Sequence, residues 1–431
     1  MMTIHNPYTK KLLEIANQDM ASQHLGNAQK TQKTAKCNQK ILQEFVKRNT
    51  SRKAKHPPIV VIGGTNGKGS CAAMLASIYK QGNYRAGMFS SPHIFKMNER
   101  ISINNQPIQD QDLEHYTKRV ITDPKTKELK FFGIITLIAW LYFHDQKVDV
   151  IIEEIGIGGR LDAVNSFAHD ISIITSVGLD HTEKLGHTLE KIAMEKSGIV
   201  RNNQPFIIGE PDMPSKAVEF IKSKTGLVHQ IDKDFQVSKN RSSLTFKSAN
   251  EIITVPVTPF HEQSVACALQ CALCLNTQLP INQQTMIQGI TRTKLAGRME
   301  LICDKRQIWV DVAHNAPAIE NLLLKWPFPM EITQCIVLLK KHKEIDKIID
   351  IIMKHCPPTQ IWLSKQLSSE NVAPKELVDK MQLSIDHVID LNKAPDALSN
   401  PKHKKIIFGS FAIVAKAKET FQNNEKQTED Q

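Results

Sequence analysis

Short, continuously apolar runs alternate with segments of helical periodicity along most of the chain. Between residues 58 and 210 the apolar runs are "PIVVIGG", "YRAGMFSS", "VDVIIEEIG", "DISIITSVG" and "QPFIIGE". Helical patterns separate them at Lys68–Gln81 and at "TLEKIAMEKSG". Strands that are apolar throughout are typical of a parallel sheet covered on both faces. The pattern therefore predicts an α/β fold with a mostly parallel sheet.

The same alternation begins again near "LAGRMEL", residues 295–301. The runs "QIWVDVAHN", "QCIVLLKK", "TQIWLSK" and "KKIIFGS" predict four more strands, with helical segments such as "EIDKIIDIIMKH" between them. About 130 residues is an ordinary domain size. We therefore predict two domains: a P-loop-type, mostly parallel sheet domain at 1–296 that includes an N-terminal helical segment, and a smaller Rossmann-like α/β domain at 297–431.

The longest apolar run, "FFGIITLIAWLYF" at 131–143, is thirteen residues long. This is too short to span a bilayer and predicts a buried helix. The eight cysteines have no regular disulfide spacing, and the N-terminus lacks a signal-peptide pattern, so reduced thiols in the cytoplasm are expected. Cys267, Cys271 and Cys274 recur at the spacing of one helical face, which favours core packing over a metal site.

The formal net charge of +11 favours acidic partners, whether nucleic acid, an anionic membrane or a polyanionic small molecule. Residues 27–56 are rich in Lys, Gln, Asn and Thr and would suit a nucleic-acid arm. They contain no interleaved aromatic residues for base stacking. A solvated helix and loop before the first strand is therefore the favoured interpretation.

The stretch "VIGGTNGKGS", residues 61–70, resembles a phosphate-binding loop between a predicted strand and a predicted helix. Its glycines would let backbone N–H groups approach phosphate oxygens, while Lys68 would add a positive charge. The usual loop places a hydroxyl directly after the lysine. Here Gly69 follows Lys68, and the hydroxyl comes one position later, at Ser70.

Polar residues follow three further strands of the first domain. Ser91 and His93 lie in "FSSPHIFKMNERI", and Asp180 and His181 lie in "ITSVGLDHTEKLG". In "VIIEEIG" only one of the two glutamates can face the nucleotide, because side chains alternate along a strand. Carboxyl ends of parallel strands meet at one edge of the sheet, where ligands bind.

Three more segments carry candidate chemistry. Lys196 lies in the helical pattern "IAMEKSGIV", where an exposed lysine is the ordinary expectation. Arg298 in "AGRME" is a candidate to reach a transferring phosphoryl group. The strand "WVDVAHNAP" ends with Asp311 and His314.

Taken in order, these stretches resemble the folylpolyglutamate synthase/dihydrofolate synthase family, within the wider Mur ligase superfamily. The resemblance covers about residues 59–420. It is carried by "GGTNGKGS", "SSPHIFKMNERI", "EIGIGGRLDAVN", "SVGLDHTEKLGHTLEKIAMEKSGI", "GRME", "DVAHN" and "FGSFAIVA". The family shows the same glycine between the lysine and the hydroxyl.

The resemblance implies an ATP-dependent amide ligase. ATP phosphorylates a carboxylate of dihydropteroate or a reduced folate, and L-glutamate attacks the acyl phosphate. It implies that the first domain binds ATP and the pterin and that the second is a glutamate-ligase domain. It also implies two Mg²⁺ sites and a carbamylated Lys196. No nucleic-acid or membrane partner is expected, and the protein is expected to be a monomer.

Residue roles follow from the same resemblance. Expected contacts with ATP come from Thr65, Asn66, Gly67, Lys68, Gly69, Ser70, Ser264, Arg298 and Asp311, and Mg²⁺ ligands are expected at Ser70, Ser91, Glu154 and His181. Expected pterin contacts are Phe132, by stacking, with Leu161, Asp162, Ala163 and His93. Lys68, Lys196, Arg298 and His314 are expected to support catalysis.

Several positions depart from the family pattern. Gly133 replaces a carboxylate able to hydrogen-bond a pterin, and Ser264 stands where an asparagine is expected near adenine. The second domain has His342, Lys343 and Glu344 in place of an Asp-Lys-Asp sequence, and Glu370 in place of an arginine. These changes bear on the pterin and glutamate ends of the site more than on the phosphate end.

Three alternatives remain from the sequence. The first is a Mur-type ligase that adds an amino acid to a different carboxylate. The second is a nucleic-acid-stimulated NTPase that uses the basic N-terminal segment. The third is a degenerate relative that binds folate without turnover, which the presence of Lys68, Glu154, His181 and Lys196 disfavours.

Overall fold

The computed structural model describes residues 7–22, 28–50, 56–341, 344–365, 368, 370–393 and 398–429. The chain divides into two compact units, Met1–Lys294 and Leu295–Gln431. The boundary predicted from the sequence lies between residues 296 and 297. Among the described helices, none is both long and apolar enough to cross a membrane.

The first unit is built on an eight-stranded sheet in the order β4-β3-β2-β5-β1-β6-β7-β8. All neighbouring strands in it run parallel, except at the β2–β3 and β3–β4 pairs. A separate antiparallel sheet has the order β11-β10-β9. The strands are β1 Ile59–Gly63, β2 Ala86–Phe89, β3 Ile101–Ile103, β4 Gln106–Pro107, β5 Val150–Glu154, β6 Ile171–Ile174, β7 Phe206–Ile208, β8 Val228–Gln230, β9 Phe235–Lys239, β10 Ser243–Ser248 and β11 Ile252–Pro256.

Helices cover both faces of the large sheet, as the apolar strands predict. The helices are α1 Pro7–Ser22, α2 Ala28–Asn49, α3 Lys68–Gln81, α4 Asp110–Ile121, α5 Phe131–Asp145, α6 Thr182–Leu185, α7 Leu189–Ser197, α8 Ser215–Lys222, α9 Glu262–Cys274 and α10 Gln283–Arg292. Helix α3 packs against α9 and α10, whereas α5 packs against α1, α2 and α4. The central strands are therefore buried on both sides.

Three sequence-based interpretations concern helices of this unit. The apolar run at 131–143 forms α5, whose residues 133–143 are all buried. Cys267 and Cys271 are fully buried on α9, and Cys274 is partly buried there. The basic segment forms α2, which buries Leu42 and Phe45. Its continuation at 51–55 lies outside the described residues.

The second unit contains a six-stranded sheet in the order β12-β13-β17-β14-β15-β16. Only the β12–β13 pair is antiparallel. Its elements are β12 Glu300–Cys303, β13 Ile308–Asp311, α11 Ala316–Lys325, β14 Thr333–Val337, α12 Ile345–His355, β15 Ile361–Ser364, α13 Pro374–Met381, β16 Val388–Ile389, β17 Lys404–Phe408 and α14 Phe411–Glu429. The four strands predicted from the sequence are β13, β14, β15 and β17. Two mixed α/β units with parallel-rich sheets confirm the predicted fold class.

Candidate active site

The loop at 64–67 joins β1 to the first turn of α3 and is held by the segment after β6. The backbone N–H of Thr65 donates to the Ser176 carbonyl at 2.8 Å, and that of Asn66 donates to the Ser176 hydroxyl at 2.9 Å. The Thr65 hydroxyl donates to the Gly178 carbonyl at 3.2 Å. These bonds hold the loop in place at the N-terminus of α3, where backbone N–H groups favour an anion.

Two glycines let other groups lie directly against this loop. Gly67 caps α3 in the left-handed region, with φ of 84°. A Cβ atom there would lie 2.3 Å from the Ser264 hydroxyl oxygen. A Cβ on Gly69 would lie 3.4 Å from Oε2 of Glu154. Ser264 and Glu154 are therefore immediate neighbours of the loop.

Glu154 is the glutamate of β5 that faces the nucleotide loop, as strand alternation predicts. Its carboxylate accepts a hydrogen bond from the backbone N–H of Ser91 at 3.0 Å. The hydroxyl-bearing Ser70 is buried in the first turn of α3, next to Gly69. Carboxylate and hydroxyl oxygens are the ligands that Mg²⁺ prefers. This donor set fits a magnesium ion held beside the phosphate loop.

His181 lies in an open pocket next to that loop. The pocket is also lined by Lys68, Lys196, Asp180 and Gly64. His181 has φ of 49° and is exposed, so its ring is accessible to a ligand. Within the described part of the chain, no three His, Cys, Asp or Glu side chains cluster as a metal site. Of the four predicted metal ligands, only Glu154 and His181 are residues of these types. Ser70 and Ser91 would contribute hydroxyl groups.

Lys68 and Lys196 converge on the loop from different helices. Lys68 Nζ donates to the carbonyls of Gly64 and Thr65, both at 3.1 Å. Lys196 Nζ donates to the same Gly64 oxygen at 2.8 Å. Only 4% of Lys196 is exposed, so the ordinary expectation of an exposed lysine is wrong here. Burial, and after it the charge of Lys68, lowers the pKa of Lys196 to about 7.

The residues expected to contact the pterin lie in the segments that follow β2 and β5 and at the start of α5. The rings of Phe132 and Phe89 are 5.7 Å apart, and a Cβ on Gly156 would lie 2.7 Å from Cζ of Phe132. The Asp162 carboxylate accepts backbone hydrogen bonds from Gly156 at 3.1 Å and from Val164 at 3.0 Å. Burial nevertheless raises the pKa of Asp162 to about 7.

Asp162 therefore braces the glycine-rich turn after β5, while its two neighbours in the chain, Leu161 and Ala163, are partly buried. His93 accepts a hydrogen bond at Nδ1 from Arg100 Nε at 2.8 Å. Burial, and after it the charge of Arg100, lowers the pKa of His93 to about 4. The imidazole is accordingly neutral at pH 7, with its proton on Nε2.

Arg298, Asp311 and His314 belong to the second unit. Asp311 ends β13, and its Oδ1 lies 3.6 Å from Nη1 of Arg298. The same carboxylate accepts backbone hydrogen bonds from Met299 at 3.0 Å and Ala313 at 2.8 Å. Burial raises the pKa of Asp311, against the lowering effect of Arg298. The His314 ring is oriented by the Val312 carbonyl, 2.9 Å from Nδ1.

Comparison with known proteins gives one family model and many relatives. The model of the Mur ligase middle domain matches residues 62–269. A dihydrofolate synthase/folylpolyglutamate synthase of Buchnera aphidicola subsp. Schizaphis graminum is 31% identical over 366 residues, which are 82% of this chain and 86% of that protein. The chain belongs to the dihydrofolate synthase/folylpolyglutamate synthase family.

Solved structures of this family share the fold. Escherichia coli FolC, in complex with DHPP and ADP, superposes with a TM-score of 0.82 at 23% identity and covers 99% of this chain and 100% of its own. A bifunctional folylpolyglutamate synthase/dihydrofolate synthase with Mn, AMPPNP and L-glutamate bound has a TM-score of 0.76 at 26% identity, covering 88% and 93% of the two chains.

The residues that depart from the family pattern lie in different environments in the structure. Gly133 is buried, and the nearest atom to a Cβ there would be in Leu129, at 3.4 Å. Glu370 forms an ion pair of 3.1 Å with Lys340. Glu344 directly precedes α12. His342 and Lys343 lie outside the described residues.

Two charged residues in this region were not assigned a role from the sequence. Glu153, the other glutamate of β5, is 1% exposed, and neither of its oxygens has a hydrogen-bond partner among the described residues. Burial, and after it the charge of Asp162, raises the pKa of Glu153 to about 8. Arg100 is also almost completely buried, beside His93. In the sequence, the letters "EE" and "NER" are the only features that draw attention to Glu153 and Arg100.

Proposed function

We propose that this chain joins L-glutamate to a pterin carboxylate as a bifunctional dihydrofolate synthase/folylpolyglutamate synthase. The observation that carries this function is 31% identity to a dihydrofolate synthase/folylpolyglutamate synthase over 86% of that protein. The reaction uses ATP and a divalent metal ion.

The chemistry has two steps. A carboxylate oxygen of the pterin acid attacks the γ-phosphorus of ATP, and the bond from that phosphorus to ADP breaks. The amine of glutamate then attacks the acyl carbon, the amine loses a proton, and inorganic phosphate leaves with the electron pair of the broken bond. Both steps depend mainly on positioning and on neutralising phosphate charge.

The phosphate loop would supply most of that neutralisation. Gly67, Lys68 and Gly69, at the N-terminus of α3, would present backbone N–H groups to the phosphates. Lys68 now donates to two loop carbonyls, so its ammonium group already lies at the loop and needs only a side-chain rotation to contact a phosphate. Ser264 lies against Gly67 and would border the nucleotide from α9.

Ser70, Ser91, Glu154 and His181 would hold the metal. Glu154 lies next to Gly69, since a Cβ on that glycine would stand 3.4 Å from Oε2, and this position supports the assignment. A bound divalent cation would neutralise charge on the transferring phosphoryl group. Glu154 is itself fixed by the backbone N–H of Ser91, so its oxygen is held in one orientation.

Lys196 would carry a carbamate. The neutral amine adds to CO₂ and releases a proton. A side chain that is a cation when protonated thereby becomes an anion. A pKa of about 7 leaves a large neutral fraction of this amine at physiological pH. The charge of Lys68 beside it would stabilise the carbamate and would oppose an unmodified ammonium group. The modified side chain would then help to position a cation.

The remaining predicted residues would contact the substrates. Phe132, Leu161, Asp162, Ala163 and His93 would bind the pterin, and Arg298, Asp311 and His314 would act on ATP and the phosphoryl group. For Arg298 and Asp311 the support is their ion pair of 3.6 Å at the end of β13, where ligands bind in open α/β sheets. We also propose that the protein acts as a monomer, without nucleic acid or membrane.

Phosphate release by the purified protein tests this function. With ATP and Mg²⁺, release should require both L-glutamate and a pterin acid, supplied as dihydropteroate or as tetrahydrofolate. Single-stranded DNA should not stimulate it. Glutamate-dependent release with tetrahydrofolate but not with dihydropteroate would show that the protein lacks dihydrofolate synthase activity. Glutamate-independent release, or release only with an unrelated acid, would contradict the proposal.

A further inference from the structure

Arg100 has a guanidinium group whose terminal nitrogens have no hydrogen-bond acceptor within the described part of the chain. Only 9% of the residue is exposed. Its Nε donates to Nδ1 of His93 at 2.8 Å, whereas Nη1 and Nη2 donate to none of the described residues. Burial lowers the pKa of Arg100 only to about 10, so the group is charged at pH 7. The charges of Glu154 and Glu99 partly offset this burial. Both carboxylates accept backbone hydrogen bonds, and neither accepts one from the terminal nitrogens of Arg100, which are therefore available to a bound anion.

The position of Arg100 connects the two ends of the site. The backbone N–H of Ser90 donates to the Arg100 carbonyl at 2.9 Å, and the next residue, Ser91, donates to Glu154 at 3.0 Å. On the other side, the guanidinium lies 5.3 Å from the centre of the Phe131 ring. Arg100 is thus close both to the predicted metal ligands and to the start of α5, where Phe132 is expected to stack on the pterin.

The orientation of the guanidinium is fixed by several contacts. The neutral His93 ring accepts from Nε, and Cζ of Arg100 lies over the Phe131 ring. The loop before Arg100 is stabilised by Glu99, whose carboxylate accepts backbone hydrogen bonds from Ile94 at 2.7 Å and Phe95 at 3.0 Å. An arginine held in this way loses little entropy when it binds a planar carboxylate through two parallel hydrogen bonds.

We propose that Nη1 and Nη2 of Arg100 bind the carboxylate that receives the γ-phosphoryl group. This inference rests on the proposed function. The carboxylate must lie between the phosphates at the loop and the ring that binds near Phe132. The guanidinium of Arg100 is near both ends, since the charge of Glu154 acts on it and the Phe131 ring lies 5.3 Å away. The same contact persists when the carboxylate becomes an acyl phosphate, because one oxygen of the acyl group remains an acceptor.

A pair of ligands that differ only at the carboxylate tests the assignment. Dihydropteroate and its primary carboxamide are titrated into the ADP- and Mg²⁺-loaded protein, and binding is followed by calorimetry. In Arg100→Gln the affinity for dihydropteroate should fall by about 10- to 100-fold, as expected for a lost charge-assisted pair. The affinity for the carboxamide should change less than about threefold.

Two controls separate this role from a structural one. Arg119→Gln removes an exposed arginine of the same unit, which pairs with Asp145, and should leave both affinities unchanged. Arg100→Lys keeps the charge without the two-pronged geometry and should retain part of the preference for the carboxylate. If Arg100→Gln does not give a cooperative thermal transition, the ratio of the two affinities is taken from Arg100→Lys.

An equal loss of affinity for both ligands, or no change in either, would overturn the role of Arg100. Failure of the proposed function has a different signature. The wild-type protein itself would then show no glutamate-dependent phosphate release with either pterin acid.

Discussion

Lys68 and Lys196 donate hydrogen bonds to the same acceptor, the carbonyl oxygen of Gly64, at 3.1 and 2.8 Å. Two ammonium groups at one carbonyl repel each other, and Lys196 is the more deeply buried of the two. Its pKa is lowered to about 7, so near neutrality about half of this amine is unprotonated. Two amino groups therefore meet at the loop, and Lys196 carries the reactive one.

Carbamylation of Lys196 should follow from this arrangement. In ¹³C-bicarbonate the wild-type protein should show a carbamate resonance, which Lys196→Ala abolishes. The signal should grow as the pH is raised through about 7, because the neutral amine is the reacting form. Lys191→Ala, which changes an exposed lysine of the same helix, should keep the signal.

Activity provides the second measurement of the modification. Turnover in CO₂-depleted buffer should fall and should recover when bicarbonate is added. A wild-type protein with full turnover and no carbamate resonance would show that Lys196 acts as an amine.

Lys68→Ala should lower the turnover rate by at least about 100-fold, because a preorganised charge on a transferring phosphoryl group is worth several kcal/mol. Steady-state phosphate release at saturating ATP measures this effect. Lys80→Ala, at the exposed end of the same helix, should have no effect. A Lys68→Ala protein within about tenfold of the wild-type rate would show that the lysine is not a phosphate ligand.

Gly67→Ala should lower kcat/KM for ATP by about tenfold or more. The left-handed φ of 84° costs an L-residue about 1–2 kcal/mol, and the new Cβ would meet the Ser264 hydroxyl at 2.3 Å. Adding Ser264→Ala should recover part of the loss, because it removes the contact but not the backbone strain. Gly226→Ala, where a Cβ meets nothing within 4 Å, is the matched control. Equal kinetics in all of these variants would contradict the loop geometry.

Glu153→Leu should stabilise the protein by about 2 kcal/mol at pH 8. It removes a buried carboxyl group that has no hydrogen-bond partner among the described residues. The pKa of Glu153 in the folded protein, about 8, lies above its ordinary value of 4.5. Between these pH values the folded state therefore keeps a proton that the unfolded state has released. The wild type loses stability as the pH rises through this range.

The stability gain of Glu153→Leu should therefore grow between pH 5 and pH 8. Urea unfolding of the protein without nucleotide or metal measures it, with the exposed Glu128→Leu as the control. A gain that is the same at both pH values would mean that Glu153 is not the source of the pH dependence.

The sequence predicted the elements around the nucleotide loop well because local signals agree there. An apolar run ends at Gly63, glycines interrupt it, and α3 begins at Lys68 as the periodicity indicates. The β9–β11 sheet was not predicted, because its strands are exposed on one face and contain no continuous apolar run. Its signal was the alternation of the buried residues Leu244 and Phe246, repeated at Ile253 and Val255.

The unusual electrostatics of the site could not be predicted from local sequence. Lys196 is buried only because residues distant in the chain, near Gly64, close over it. Arg100 meets His93 through a turn, and the letters between them do not specify the orientation of the guanidinium. Glu153 looked equivalent to Glu154 until strand pairing placed it between Val61 and Phe89.

Transfer of oxygen from the acid to phosphate tests the central claim most directly. Dihydropteroate labelled with ¹⁸O in both carboxylate oxygens is turned over with ATP, Mg²⁺ and L-glutamate, and the released phosphate is analysed by mass spectrometry. Ligation through an acyl phosphate predicts one ¹⁸O atom in each phosphate released, in step with the dihydrofolate formed. Unlabelled phosphate would contradict this account, since water and not the pterin carboxylate would then be the acceptor of the γ-phosphoryl group.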